Sequence, residues 1–254
     1  MTEKPNRLSP SEIAERIAGN GGFYLHQAFL SETETDSYRL ECEAFFESGP
    51  RVAKWPGYGR NRLNRDHVAD YVFSRPRAHS SKIYQFPKNP HSPGTQAIFD
   101  RALSIRDTIE AYWLDDPQYR QIRAAQRDYV QVNRYLEGQG IGRHRDSTTV
   151  TSRPLVQCVV LMSQPGTDFS GGELVLYTAS GKSVGAHTDL GMKKTDALFF
   201  DKSLFHEVEA TSQIEGTSVG RWSAVIGARF GRPNGLRRIT RRVSALAIET
   251  FAPS

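Results

Sequence analysis

From Asp128 onward the chain runs as short β-type segments separated by Gly-rich turns, and this succession constrains its fold more than any other feature. Eight segments are legible: Tyr129 to Leu136, a segment reaching His144 to Asp146, Leu155 to Met162, Glu173 to Tyr177, Ser183 to His187, Ala197 to Phe200, Phe205 to Ala210, and Arg221 to Phe230. The stretch before them reads as helical. Ser9, Pro10 and Glu12 combine a capping hydroxyl, a proline at the first turn and a glutamate at the third helical position. Leu30 and Ser31 open a second helix, with Tyr38, Leu40, Ala44, Phe45 and Phe46 supplying an apolar side before Gly49-Pro50 ends it. A third runs from about Gln96 to Trp113, and Asp116-Pro117 caps a short fourth. Helices followed by short strands at turn spacing predict an α+β chain: an antiparallel jelly roll, or double-stranded β-helix, supported by N-terminal helices.

At 254 residues one domain is expected. Within it, 1–127 reads as helical support and covering loops, 128–231 as the jelly-roll core and 232–254 as a basic extension. Between Pro50 and Pro93 periodicity gives way to Arg, Asn, Pro and aromatic residues, as in a long loop region over a site. Trp55 and Arg62 are its candidate substrate-binding residues. No apolar run approaches the roughly 20 residues of a membrane helix, and Met1 to Pro10 has no apolar core for a secretion signal, so a soluble, cytoplasmic protein is expected. Cys42 and Cys158 are too few for a disulfide framework or a structural zinc site. The balance of 33 Lys and Arg against 28 Asp and Glu permits an anionic ligand without demanding nucleic acid. Much of the excess follows Phe230, in Arg232, Arg237, Arg238, Arg241 and Arg242.

His144 and Asp146 lie two apart at a strand end, so their side chains leave one face and can share a metal ion. His206, in the strand-like run Phe205-His206-Glu207-Val208, is far enough along for intervening strands to return it to that pair. Two imidazoles and one carboxylate on one side of an ion, with the opposite positions open, suit non-haem Fe(II) and oxygen chemistry, and zinc is also chemically possible. A second His-x-Asp, His187 and Asp189, is flanked by Gly185 and Gly191 and reads as a turn between strands. Alternation places Gln131, Asn133 and Tyr135 on one face of their strand and Val130 and Val132 on the other, so the polar face suits a pocket.

These motifs resemble the prolyl-4-hydroxylase-like branch of the Fe(II)- and 2-oxoglutarate-dependent dioxygenases. Val130-Gln131-Val132-Asn133-Arg134-Tyr135, then Gly138, Gly140 and Gly142, then His144-Arg145-Asp146, look like that family's strand, Gly-rich turn and first metal pair. Gly171-Gly172-Glu173-Leu174 resembles its mid-barrel turn, Leu204-Phe205-His206-Glu207-Val208 its distal histidine strand, and Gly220-Arg221-Trp222-Ser223 its cosubstrate-binding strand. The resemblance implies Fe(II) held by His144, Asp146 and His206. It implies Arg221 as the anchor for the distal carboxylate of 2-oxoglutarate, through two parallel charge-assisted hydrogen bonds. Ser223 shares that face and is placed to donate to the same carboxylate, Tyr135 is assigned to the same pocket, and Gln131 and Asn133 are substrate-side candidates.

The activity implied is hydroxylation of an unactivated C–H bond using O2, with succinate and CO2 released from 2-oxoglutarate. Aliphatic halogenases of the superfamily replace the carboxylate ligand with a small residue, whereas Asp146 is present here. The nucleic-acid-demethylating branch wants Asn, Thr and Arg two, four and six residues after the anchor, where this chain has Ser223, Val225 and Gly227. A small-molecule substrate is expected, a free amino acid or natural-product intermediate, with a peptidyl residue as the alternative. A non-catalytic metal-binding jelly roll is the reading from a different class, and Arg221 argues against it.

Overall fold

The computed structural model describes residues 8–19, 22–47, 65–67, 81–86, 93–146 and 153–230. In chain order these form α1 (Pro10–Ala18), β1 (Phe23–His26), α2 (Glu32–Glu47), β2 (Arg65–His67), β3 (Ser81–Phe86), α3 (Pro93–Ala111), α4 (Pro117–Ala124), β4 (Gln126–Tyr135) and β5 (Ile141–His144). Then follow β6 (Val156–Leu161), β7 (Phe169–Gly171), β8 (Leu174–Tyr177), β9 (Ser183–Gly185), β10 (Ala197–Asp201), β11 (Phe205–Val208), β12 (Thr211–Gln213) and β13 (Arg221–Phe230).

The helix starts follow from local chemistry. The Ser9 backbone N–H donates to Glu12 Oε2 at 2.7 Å while Glu12 N–H donates back to Ser9 Oγ, a reciprocal cap that satisfies donors the helix leaves open. Ser31 and Glu34 repeat it at the start of α2, and Asp116 accepts from the backbone N–H groups of Gln118 and Tyr119 ahead of α4.

All ladders between named strands are antiparallel. A seven-stranded sheet has the order β1-β10-β6-β13-β4-β3-β2, and a four-stranded sheet the order β5-β11-β8-β9; β12 and β7 form a two-stranded ribbon. This is the expected jelly roll, with additions. The stretch read as helical support contributes β1 to the larger sheet, the region between Pro50 and Pro93 read as loop contributes β2 and β3, and the run Phe205 to Ala210 ends as a strand at Val208, with the ribbon strand β12 beginning just beyond it at Thr211. β1 is only four residues long with every side chain half-buried, so it carries no strict alternation for a sequence pattern to detect. The expectations for Trp55, Arg62 and the extension 232–254 lie outside the described residues.

Alternation along the strands divides the interior in two. Val130, Val132, Cys158, Val160, Phe199, Trp222, Ala224 and Ile226 face a core shared with α1, α2 and α3. Tyr135, Val159, Leu161, Leu198 and Phe200 face the second core between the sheets, against Leu174, Leu176 and Val208. Both cysteines are free and buried, and burial pushes their thiols above the ordinary range. No helix among the described residues is long and apolar enough to cross a membrane.

One buried polar cluster fastens the helices to the sheet. Glu110 accepts the backbone N–H of Val156 at 3.0 Å through one carboxylate oxygen and pairs with Arg123 at 2.7 Å through the other. Arg123 and Arg106 both reach Asp128, at 3.3 and 2.8 Å. Removing one member leaves uncompensated charge away from water, a loss of about 3–5 kcal/mol. Glu110→Ala should therefore lower unfolding free energy by an amount in that range in chemical denaturation; a loss below about 1 kcal/mol, the size of an exposed pair, would show that the cluster does not fasten these layers.

Candidate active site

The register of the smaller sheet assembles the first group. His206 on β11 lies directly opposite His144 on β5, so both imidazoles project from the same face of neighbouring strands, with ring centroids 4.3 Å apart. Asp146 follows the end of β5, where its backbone N–H donates to the Lys202 carbonyl at 3.1 Å. Its Oδ1 stands 3.7 Å from His144 Nε2 and its Oδ2 3.7 Å from His206 Nε2. One ligand atom from each of the three residues lies within 4.8 Å of the others.

Each histidine is oriented by a carbonyl two residues earlier in the chain. His144 Nδ1 lies 2.8 Å from the Gly142 oxygen, and His206 Nδ1 3.0 Å from the Leu204 oxygen. A carbonyl only accepts, so each Nδ1 carries the hydrogen and each Nε2 presents its lone pair to the shared space. Burial lowers the pKa of His144, reinforced by His206 and opposed by Asp146. At His206 burial also works against the charged form, but the adjacent Asp146 carboxylate outweighs it and the pKa is raised. Burial raises Asp146, yet His206, His144 and the Gln157 amide together hold its carboxyl well below the usual range. Two neutral nitrogen donors and an anionic oxygen donor on one side of a space are a donor set that fits Fe(II).

β13 and β4 build a second group on the inner face of the larger sheet. Arg221 pairs with Tyr135 in register and Ser223 with Asn133, while Trp222 turns toward the helices. The Arg221 guanidinium is almost completely buried and lies 5.5 Å from the Tyr135 ring centre. Its Nη1 donates to Ser223 Oγ at 3.1 Å. Ser223 thus accepts from the arginine in this structure and orients it. The Nε and Nη2 hydrogens, which form one edge of the fork, meet no partner. Burial lowers the Arg221 pKa, opposed by Tyr135 and Glu173, and a guanidinium stays charged even so. On the neighbouring row, Gln131 donates to Asn133 Oδ1 at 2.9 Å.

Two residues join this group that sequence reasoning did not place in it. Thr211 Oγ1 and His187 Nε2 are also buried without partners. Ala186 to Leu190 do form a turn, as expected, and the metal-type cluster does not include His187. The ring is nonetheless close enough to Arg221 for that charge to depress its pKa, an effect second to burial. Its signal was a His held in a turn that Glu173 fixes by accepting the backbone N–H groups of His187 and Thr188. Gly172 explains the Gly-Gly of this segment. It sits at φ +59°, and a Cβ there would stand 2.9 Å from Arg221 Cδ and 2.8 Å from Thr211 Oγ1.

Comparison with known proteins agrees with this geometry. A family model for the 2OG-Fe(II) oxygenase superfamily matches residues 130–226. The chain carries a 2OG-Fe(II) oxygenase domain. It is accordingly a 2-oxoglutarate-dependent dioxygenase, with Fe(II) as cofactor and 2-oxoglutarate and O2 as cosubstrates. Similar folds include a Pseudomonas putida prolyl-4-hydroxylase, with TM-score 0.59, 15% identity, and coverage of 89% of this chain and 100% of that one. A Trichoplax adhaerens prolyl hydroxylase, solved with a hypoxia-inducible-factor peptide fragment, gives TM-score 0.53 and 18% identity over 87% of this chain and 89% of that one. The α-ketoglutarate-dependent carbocyclase SnoK of nogalamycin biosynthesis gives 0.52 and 14% over 92% and 90%. The sequence has no significant match among curated proteins.

A buried cation with an unsatisfied edge is costly to the ligand-free oxygenase, and an apolar side chain of similar length removes that cost. Arg221→Met should leave the thermal midpoint of the ligand-free protein unchanged or raise it. A fall of more than about 5 °C, roughly 2 kcal/mol for a chain this size, would mean that the guanidinium is a structural element rather than a binding group held in reserve.

Proposed function

We propose that this oxygenase hydroxylates an unactivated C–H bond of a small molecule, a free amino acid or a natural-product intermediate. Substrate C–H, O2 and 2-oxoglutarate would become C–OH, succinate and CO2. The observation that carries the cosubstrate assignment is the free Nε/Nη2 edge of Arg221. A carboxylate is an acceptor with two oxygens, and that edge offers two parallel N–H donors in matching geometry.

His144, Asp146 and His206 would hold Fe(II), which when bound supplies the oxidising chemistry. The remaining steps belong to the chain. Arg221 binds the distal carboxylate of 2-oxoglutarate, Ser223 fixes the guanidinium by accepting from Nη1, and Thr211 Oγ1 donates to the same carboxylate. Tyr135 closes the side of that pocket against the Arg221 face. Leu174, Leu176, Phe200 and Val208 keep the space between the sheets dry, which strengthens each charged contact. Gln131 and Asn133, linked to each other, offer the polar face on the substrate side.

Support for a small substrate comes from three of the described joins between barrel strands, 136–140, 178–182 and 202–204, which are short turns. SnoK, of similar fold and named as a carbocyclase in a biosynthetic pathway, adds a small-molecule analogy at the level of fold.

The test is succinate release with Fe(II), 2-oxoglutarate and O2, screened against free amino acids and short prolyl peptides. A free amino acid or other small molecule should stimulate release at least tenfold, with the peptides inert. Stimulation by peptides alone would replace this reading with peptidyl hydroxylation. Charged hydrogen bonds each contribute roughly 1.5–3 kcal/mol, so Arg221→Met should raise half-saturating 2-oxoglutarate by about 100-fold or more. An unchanged value would remove Arg221 as the anchor.

A further inference from the structure

The inward-facing row of β6 is Gln157, Val159 and Leu161. Val159 and Leu161 enter the core between the sheets. Gln157 is as buried as they are, at 2% exposure, yet it is polar. Alternation calls for an apolar side chain at such a place, and a buried amide is destabilising unless it is hydrogen-bonded. A departure from pattern that survives inside a core marks a functional constraint.

The amide has a specific occupation. Gln157 Nε2, on β6 of the larger sheet, donates to Asp146 Oδ2 at 2.7 Å, just past the end of β5 in the smaller sheet. Asp146 is therefore fixed at two points: its backbone by the Lys202 carbonyl and one carboxylate oxygen by Gln157. Each carboxylate oxygen stands 3.7 Å from one imidazole, Oδ1 from His144 Nε2 and Oδ2 from His206 Nε2, and the amide engages Oδ2.

We propose that Gln157 is a positioning residue that holds Asp146 as a one-oxygen metal ligand, occupying Oδ2 and leaving Oδ1 to the ion. The proposal rests on the reading of His144, Asp146 and His206 as the metal site. A carboxylate can bind an ion through one oxygen or two. An octahedral ion with two imidazoles and one carboxylate oxygen keeps three positions, enough for a chelating 2-oxoglutarate and O2. A carboxylate turned to bind through both oxygens takes one of those three. The amide also donates without adding charge. A lysine there would compete with the cation, and a glutamate would repel Asp146 while offering an oxygen of its own.

The test uses Co(II) as probe on metal-free protein, because affinity and the visible spectrum report the site without turnover. Gln157→Met keeps the length and loses the donor; Gln157→Leu serves in its place should the first variant not fold. Loss of a hydrogen-bonding partner behind a metal ligand typically weakens the metal about 10–100-fold, and that is the expected loss for Co(II). The visible bands should change in intensity with the coordination. Unchanged affinity together with an unchanged spectrum would overturn the proposal and leave Gln157 a buried amide only. If the wild-type protein bound Co(II) no better than His206→Ala, the metal reading itself would fail and take the proposal with it, an outcome distinct from the first.

Discussion

The antiparallel pairing of β13 with β4, continuous from Arg221 opposite Tyr135 to Phe230 opposite Gln126, is the constraint on which the rest of the structure depends. Because side chains alternate across a strand, a single register decides two things at once. It sends Trp222, Ala224, Ile226, Val130 and Val132 to the helices, and Arg221, Ser223 and Tyr135 to the space between the sheets. A slip of one residue would put a guanidinium among α-helices and a tryptophan in the pocket. Trp222 fixes that register further: its indole N–H donates to the Val219 carbonyl and its backbone N–H to Ser163 Oγ.

The same logic governs the smaller sheet. His144 and His206 meet because β5 and β11 pair at that position, and Nδ1 of each ring is tied to the carbonyl two residues before it. The two histidines are thus oriented by their own backbone, while Asp146, beyond the strand, depends on Lys202 and Gln157. Backbone-oriented imidazoles and a carboxylate held by a side chain make the carboxylate the adjustable member of the set. Opposite them, Arg221 keeps an unsatisfied edge in a buried place. In the function proposed above, such an arrangement gives up folding stability to be ready for an anion.

What the sequence made legible follows from which signals are local. Helix caps at Ser9, Ser31 and Asp116 are read within four residues of the chain, and each stands where expected. Long strands with clear alternation, such as those around Val132 and Ala224, were equally visible. The short edge strands β1 and β2 were not, because three or four residues carry too little pattern, and the six-residue β3 was missed with them inside a stretch read as loop. The triad residues are adjacent as the spacing implied. His187, Thr211 and Gln157 escaped for a different reason: each acquires its surroundings only from distant segments. Thr211 is one threonine in a polar stretch, His187 looked like a turn residue and is one, and Gln157 sat inside an apolar run that hid it. Ser223 stands beside Arg221, and its oxygen accepts from the guanidinium, a contact the strand pattern alone did not show.

The central claim is that the two groups form one centre, a metal held by the smaller sheet facing a carboxylate held by the larger. The most direct measurement is anaerobic. Fe(II) and then 2-oxoglutarate are added to metal-free protein, and the weak visible charge-transfer band of the metal chelate is recorded for wild type, His206→Ala and Arg221→Met. The account predicts a band in the wild type, none in His206→Ala, and in Arg221→Met a band that appears only at much higher 2-oxoglutarate. A band of equal strength and equal 2-oxoglutarate dependence in all three, or none in the wild type, would contradict it.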